Sequence, residues 1–234
     1  MTVVAIHQPN FFPWLGFFDK MARCDTFVLM DNVQLPNRSL VNRVRLMISG
    51  EPRWATVPVL RAHGTLARIG DVMIDESQPW RPKLARSIEM SYAKSPHFKT
   101  VFPAVKALVE NPDSRLAGYN AHAIRSIAGL LGLSTPLVLG SDVGGEGQAT
   151  ELLASMVRRV PGDAYLCGAG AAGYQDDDSL RAAGIKVVHQ NFEHPAYPQT
   201  VKGQFVPGLS VIDVLMNQGA DATRRFLGCE GASS

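Results

Sequence analysis

The sequence predicts an α/β fold, with a Rossmann-like, mostly parallel sheet, flanking helices and a helical middle section. Short apolar β runs alternate with segments of helical periodicity, which is the pattern of repeated β-α-β units. Several of these runs end in polar side chains directly before a turn, and parallel sheets present ligand-binding groups at that edge. We expect residues 1–234 to form one domain, with a helical insertion at roughly 80–131.

Composition and charge narrow the class of protein. Apolar residues make up 46% of the chain, charged residues 19%, and the net charge is +2. These values predict a globular protein and argue against broad, non-specific nucleic-acid binding. The three cysteines are far apart and form no CxxC pair, which favours a reducing compartment. No signal-like or membrane-spanning apolar run is present, so we expect a cytoplasmic protein without a membrane partner.

The first β-α-β unit carries the most distinctive residues. A strand at Val3–Ile6 leads into a turn with Pro9 and Pro13, a helix follows at Phe17–Ala22, and a second strand spans Thr26–Met30. Parallel strands joined in this way place their carboxyl ends on one edge of the sheet. We therefore expect one pocket to contain the polar residues that follow the two strands: His7, Gln8, Asn10, Asp31 and Asn32. The alternative is a purely structural corner.

A segment rich in amides and arginines follows, over residues 34–45. Asn37-Arg38 and Asn42-Arg43 repeat at a spacing of five, and Arg45 adds another cation. Arginine and asparagine suit the binding of phosphate or carboxylate, so the segment is a candidate anion clamp. A solvated edge strand or hairpin explains the same pattern, and both interpretations remain open.

Apolar spacing predicts the remaining elements. Strands are expected at 54–60, 69–74, 136–139, 164–166 and 185–188, and helices at 80–92, 98–109, 116–131, 150–159 and 208–215. The N-caps are assigned to the Pro112–Ser114 segment, to Thr150 and to Ser210, with Asp213 three residues after Ser210.

The glycine-rich segment after the strand predicted at 164–166 has two interpretations. Its letters match G-x-G-x-x-G, but Asp176–Asp178 would repel a pyrophosphate, and His189-Gln190 stands where the ribose-binding acid belongs. An NAD site is therefore disfavoured, and the glycines instead allow close approach of a substrate. Cys167 is either a thioester nucleophile or a buried, inert thiol. Tyr174 is expected to line the same cleft.

Taken together, these motifs resemble the WbqC-like family of bacterial proteins. The resemblance rests on IHQPNFFPWLGFFDK at 6–20, FVLMDNVQ at 27–34, WATVPV at 54–59, YLCGAG at 165–170, GIKVVHQNF at 184–192 and PGLSVIDVLMNQG at 207–219. It implies an enzyme of surface-polysaccharide or natural-product biosynthesis. Cys167 and Ala169 depart from the serines expected in many relatives.

The first functional hypothesis is a transferase that moves an acyl or aminoacyl group onto the amine of an amino sugar or amino acid. His7 would act as an acid/base with a pKa near neutrality, and Asp31 would orient it or the amine. The predicted substrate-binding residues are Gln8, Asn10, Trp14, Asn32, Asn37, Arg38, Asn42, Arg43, Arg45, Cys167, Tyr174 and Gln190. The partner would be a small-molecule substrate, such as a nucleotide sugar or a carrier-bound or tRNA-bound aminoacyl donor. No metal site and no definite cofactor other than a nucleotide or activated acyl donor is predicted.

Two alternatives remain. The tetrapeptide His7-Gln8-Pro9-Asn10 lies where HxGH enzymes carry their motif, which would indicate nucleotidyl transfer or ATP-dependent ligation. The chain would instead be a non-catalytic binding or assembly protein if His7 were buried away from any cavity. No oligomeric state is predicted.

Overall fold

A computed structural model describes residues 1–60, 67–168, 175–200 and 203–229. Within these ranges the chain forms seven strands and eight α-helices. In chain order they are β1 (Val3–His7), α1 (Leu15–Ala22), β2 (Thr26–Leu29), β3 (Arg43–Ile48), β4 (Glu51–Thr56), α2 (Trp80–Tyr92), α3 (Phe98–Val109), α4 (Leu116–Leu130), β5 (Leu137–Leu139), α5 (Gly140–Val143), α6 (Ala149–Arg159), β6 (Ala164–Cys167), α7 (Asp177–Ala182), β7 (Lys186–His189) and α8 (Val211–Phe226).

The main sheet has five parallel strands in the order β5-β2-β1-β6-β7. From β1 the chain moves outward through β2 to β5, and it then returns to the other side of β1 with β6 and β7. This arrangement confirms the predicted Rossmann-like α/β fold and places the topological switch point between β1 and β6. Pairing of these two strands extends only to Ala5 opposite Leu166, and we refer to the region beyond it, at the carboxyl ends of the two strands, as the switch-point crevice.

The two faces of the sheet are covered by different helices. Val4, Ile6, Tyr165 and Cys167 pack in one apolar cluster with residues of α6 and α7. The side chains that alternate with them, such as Ala5, belong to the larger core on the α1 side, which also includes α2, α3, α4 and α8. Each strand therefore delivers successive side chains to opposite sides of the crevice.

Strands β3 and β4 form an antiparallel hairpin outside the main sheet. Its turn has positive φ at both Ser49 (52°) and Gly50 (84°), as the twist of a tight hairpin favours. The expected strand at 54–60 therefore begins earlier, at Glu51, and ends at Thr56. The strand expected at 69–74 was wrong, because the chain there makes a 3-10 turn at Ile69–Asp71 and then only isolated bridges, from Ile74 to Val59 and from Met73 to Arg115.

The helices of the middle section lie where their periodicity predicts them, but two of the expected N-caps were wrong. Asp113 accepts a hydrogen bond from the backbone N–H of Arg115, which precedes α4, and Thr150 accepts one from Asp176 N–H in a neighbouring segment. The cap at Ser210 is confirmed, since its Oγ accepts from Ile212 N–H. Helix α8 continues to Phe226, beyond the predicted residue 215, with a break at Gly219, whose φ of 75° is not helical.

None of the helices in the described residues combines the length and apolar character needed to cross a membrane.

Candidate functional site

A buried lysine lies at the switch-point crevice. His7 O accepts a hydrogen bond from Met30 N–H on the β2 side, so the preceding carbonyl, that of Ile6, faces β6. Lys20 Nζ donates to this carbonyl at 2.9 Å and lies 5.6 Å from the Tyr165 ring centroid. Burial lowers the pKa of Lys20 to about 8, because the charged form is disfavoured away from water. The Lys20 side chain is only 3% exposed, although lysines on short helices mostly face solvent.

His7 lies on the α1 side of the crevice as a neutral imidazole. Its Nδ1 donates to the Gln8 carbonyl at 3.0 Å, which leaves Nε2 as an unprotonated acceptor. The ring packs edgewise against Phe17 and Trp14, with centroid distances of 4.9 and 5.6 Å. Burial, followed by the positive charge of Lys20, lowers the pKa of His7 to about 3. The expected pKa near neutrality was therefore wrong.

Asp31 does not contact His7. Its buried carboxylate accepts hydrogen bonds from Ser141 N–H and Ser141 Oγ, both at 2.8 Å, and so joins the end of β2 to α5. Asn32 Oδ1 beside it is buried and has no hydrogen-bond partner in the described part of the chain. The contact with His7 is therefore not formed, and the other predicted role of Asp31, orienting the substrate amine, stays a prediction.

A second set of polar side chains lies at the ends of β6 and β7. Cys167 and His189 are directly opposite each other in the strand register, and Cys167 Sγ lies 3.2 Å from His189 Nδ1. The other ring nitrogen, Nε2, is 3.0 Å from Asp177 Oδ2 at the start of α7. Burial raises the pKa of the Cys167 thiol, so the resting group is protonated.

Gln190 makes hydrogen bonds that connect parts of the fold. Its Nε2 donates to Gly16 O at 2.6 Å and to Asp19 Oδ2 at 2.8 Å, and its own carbonyl accepts from Arg23. Both amide hydrogens are thus committed to linking the end of β7 with α1. That Gln190 also positions substrate stays a prediction.

A cavity of about 270 Å³ lies between the turn after β1 and the β3–β4 hairpin. It is lined by Asn10, Trp14, Arg43, Arg45 and His194, together with apolar side chains and Gly208. Asn10 is only 3% exposed, and its carboxamide has no hydrogen-bond partner among the described residues. Its donor and acceptor are therefore available to a ligand.

Arg43 is the cation at the centre of this region. Its guanidinium carbon lies 4.2 Å from the Trp54 ring centroid, and its Nε is buried without a partner in the described residues. Arg45 Nη2 donates to Pro207 O at 2.8 Å. Burial, followed by the charge of Arg45, lowers the pKa of His194, so this histidine adds a neutral ring to the cavity wall.

Arg43 also lines a neighbouring cavity of about 230 Å³. Its other polar residues are Asn37, Arg38, Asn42 and Thr56, and Asn42 Nδ2 makes a hydrogen bond of 3.3 Å to Val57 O. No carboxylate is among the described residues that line either cavity. The two spaces together form a positively charged region on both sides of Arg43.

Asn120 of α4 holds this region in place. It is fully buried, and its Nδ2 donates to Pro9 O at 2.8 Å and to Val41 O at 2.7 Å. Phe11 N–H donates to Leu40 O at 2.9 Å, which adds a direct bond between the same two segments. These three hydrogen bonds therefore hold the turn after β1 and the segment before β3 together.

The structure divides the predicted site into separate groups. Asn10, Trp14, Arg43 and Arg45 share one cavity, while Asn37, Arg38 and Asn42 line its neighbour. His7, Gln8, Asp31, Asn32 and Cys167 line neither cavity, and Tyr174, with most of the glycine-rich segment, lies outside the described residues. Polar residues that sequence reasoning missed are Lys20, Asn120, Asp177, His189 and His194. Only His189 carried a usable signal, because it ends the strand next to the one that ends in Cys167.

Over the described ranges, no group of three histidine, cysteine, aspartate or glutamate side chains could hold a metal ion.

A doubly wound parallel sheet with polar side chains at its switch point defines a Rossmann-like α/β protein. The chain belongs to the WbqC-like protein family, whose model matches residues 8–225. It is also 30% identical over 223 residues to Rv1507c of Mycobacterium tuberculosis, a protein described as uncharacterized, with 95% of this chain and 96% of that protein covered. No solved structure matches the chain.

Proposed function

We propose that this protein is a biosynthetic transferase that moves an acyl or aminoacyl group from an anionic, activated donor to an amine. The acceptor would be an amino sugar or amino acid, in the assembly of a surface polysaccharide or a natural product. The observation that carries the proposal is the cavity around Arg43, which combines cations, an unpartnered carboxamide and aromatic walls.

The cavity favours a donor that carries phosphate. Arg43 Nε is buried and has no partner among the described residues, and leaving such a group unpaired costs about 1–3 kcal/mol. An anionic ligand supplies an acceptor for it and a counter-charge for the guanidinium, and Asn10 adds a carboxamide to the same cavity wall. Coenzyme A thioesters and aminoacyl-tRNA carry an acyl group and present phosphate oxygens beside a flat ring, which Trp14 and Trp54 could stack against, whereas a nucleotide amino sugar would present the same groups as the acceptor.

The crevice next to this cavity offers groups for the acceptor. His7 Nε2 can accept a hydrogen bond from an amine, and Trp14 contacts His7 while also lining the cavity. A pKa of about 3 makes His7 a weak base, and Lys20, with a pKa of about 8, still carries a positive charge at neutral pH. We therefore assign His7 to orienting the amine and Lys20 to favouring negative charge that develops in the crevice.

The test is a thermal-shift panel on wild type, Arg43→Gln and the control Arg86→Gln, which removes an exposed arginine of α2 that lines neither cavity. The ligands are a coenzyme A thioester, a nucleotide amino sugar, an aminoacyl-tRNA, ATP and CTP. A ligand at ~100 times its Kd adds about 2.7 kcal/mol to the free energy of unfolding. We expect a shift with one acyl or sugar donor that Arg43→Gln loses and Arg86→Gln retains.

Mass spectrometry then tests for an amide product when the stabilising donor is mixed with amino sugars and amino acids. Amide formation without ATP supports transfer. A shift with ATP or CTP alone, together with a product that requires the nucleotide, would replace the proposal with nucleotidyl transfer or ligation. If no donor shifts wild type, a non-catalytic binding role would replace it.

A further inference from the structure

We propose that Cys167 is a nucleophile that carries the acyl group as a thioester, with His189 as its base and Asp177 as the residue that orients His189. The inference deepens the proposed function and rests on it, because it requires a donor with an activated carboxyl group. The transfer would then run in two steps through an acyl-enzyme.

The backbone fixes the contact between thiol and imidazole. Cys167 and His189 are register partners at the last position of β6 and β7, so their side chains project to the same face of the sheet. Cys167 Sγ lies 3.2 Å from His189 Nδ1. A nucleophile within hydrogen-bond reach of a base, which a third group orients, is the arrangement that activates cysteine and serine enzymes.

The carboxylate determines which ring nitrogen is the base. Asp177 Oδ2 can only accept, so His189 Nε2, at 3.0 Å, carries the hydrogen. Nδ1 is then unprotonated and directs its lone pair at the thiol. Asp177 is itself held, because its Oδ1 accepts from Gln175 Nε2 and Oδ2 lies 3.5 Å from Arg181.

The geometry differs from that of a metal site. Sulfur and carboxylate lie at opposite ring nitrogens, so the three groups form a line through the imidazole instead of surrounding a point. Cys167 Sγ also lies 3.4 Å from Val188 O, which competes with His189 Nδ1 for the thiol hydrogen. The His189 side chain is 55% exposed, whereas Cys167 is 1% exposed. The imidazole therefore connects the buried sulfur with the surface of the sheet edge.

Lys20 supplies a favourable charge to the same place. Burial raises the pKa of the Cys167 thiol, and so does the negative charge of Asp177, whereas a side-chain hydrogen bond with Gln175, followed by the positive charge of Lys20, opposes that effect. Burial raises the pKa of Cys24 to about 12, although Lys20 acts on it as well. Cys24, whose Sγ donates to the Met21 carbonyl, is thus an internal comparison for a thiol near Lys20 without a histidine partner.

Each step balances. The Cys167 Sγ proton passes to His189 Nδ1, the thiolate attacks the acyl carbonyl carbon, and the C–S bond forms as the bond to the donor's leaving group breaks. The leaving group takes the proton from His189. An amine then attacks the thioester, a C–N bond forms, the C–S bond breaks, and Cys167 recovers its proton from the amine through His189.

The test uses p-nitrophenyl acetate as the acyl donor and no amine acceptor, with intact-mass spectrometry and peptide mapping. We expect one acetyl group on Cys167 and release of one equivalent of p-nitrophenolate. The adduct should be absent in Cys167→Ala and retained in the control Cys24→Ala. In His189→Asn the rate should fall about 10²-fold or more, the usual contribution of a general base.

Three further measurements separate a catalytic triad from a structural one. Asp177→Asn should slow acylation and change its pH profile, because the asparagine favours the wrong imidazole tautomer. Cys167→Ser keeps the shape of the site if Cys167→Ala fails to fold, and it should give a slowly formed oxygen ester. The melting temperature of every variant, compared with wild type, shows whether a slower rate reflects unfolding.

The outcomes distinguish this inference from the proposed function. Acetylation that persists in Cys167→Ala, or no acetylation of wild type while donor binding still depends on Arg43, overturns the thioester and leaves the transferase. Acetylation of Cys167 without any Arg43-dependent donor binding overturns the donor cavity and leaves a reactive cysteine.

Discussion

Burial has moved the pKa values of single side chains in this fold away from their ordinary values. His7 is kept neutral by burial and by Lys20, and Lys20 is itself shifted toward its neutral form. Both lie at a crevice that arises because β1 and β6 stop pairing after Ala5. Each of these effects produces a measurable dependence on pH.

The pKa of His7 gives a prediction for stability. The folded value of about 3 lies below the ordinary 6.5, so between these values the unfolded chain binds a proton that the folded chain does not. The free energy of unfolding should therefore fall as the pH drops from 6.5 toward 3. Urea denaturation across this range should show a shallower fall for His7→Gln than for wild type. Equal slopes, or an NMR titration of His7 with a midpoint near 6.5, would contradict the neutral imidazole.

At the scale of elements, α4 and α1 position the donor cavity. Asn120→Ala leaves two buried carbonyl groups, those of Pro9 and Val41, without their donor. We expect a loss of about 1–3 kcal/mol in the free energy of unfolding, together with weaker donor binding. His122→Ala, at an exposed position of the same helix, is the control and should stay within about 0.5 kcal/mol. An Asn120→Ala variant as stable as wild type would show that Asn120 does not hold these segments together.

Two glycines in helices make a matched pair. A Cβ on Gly16 would lie 2.6 Å from Trp14 Nε1 and 2.7 Å from Phe192 Cδ1, whereas a Cβ on Gly129 has nothing within 4 Å. Gly16→Ala should therefore displace the Trp14 ring and destabilise the protein by about 1–3 kcal/mol. Gly129→Ala should stabilise it by roughly 0.5–1 kcal/mol through helix propensity. Melting curves and tryptophan fluorescence test both predictions. If donor binding is unchanged in Gly16→Ala, Trp14 does not contribute to donor binding in the cavity.

At the scale of the whole molecule, local patterns predicted the elements, and long-range contacts decided the site. The parallel β-α-β unit at 3–29 and the helices from 80 to 130 followed from apolar periodicity. Lys20 could not be placed in this way, because its carbonyl partner lies on a strand edge exposed only where β1 and β6 separate. The same holds for Asn120, whose two acceptors are 111 and 79 residues away. The predicted N-caps at Asp113 and Thr150 were wrong because the side-chain oxygens of these residues accept hydrogen bonds from backbone N–H groups outside the helices that they were predicted to cap.

The grouping of site residues follows from the same cause. Residues after β1 diverge, since His7 remains at the sheet edge while Asn10 reaches the hairpin. The order of residues in the sequence suggested one pocket. In the structure, the turn through Pro9 and Pro13 separates two regions, the donor cavity and the crevice at the switch point. That the whole chain forms one domain remains a prediction.

The proposed donor site requires that Arg43 binds the anionic part of a donor. Calorimetric titration with inorganic pyrophosphate, at low and high salt, measures this binding for wild type, Arg43→Gln and Arg86→Gln. We expect salt-sensitive binding by wild type and Arg86→Gln, and an affinity about tenfold or more lower in Arg43→Gln, equivalent to a loss of about 1.4 kcal/mol. Equal affinity in all three proteins, or no binding by wild type, would show that Arg43 does not bind the anionic group of the donor.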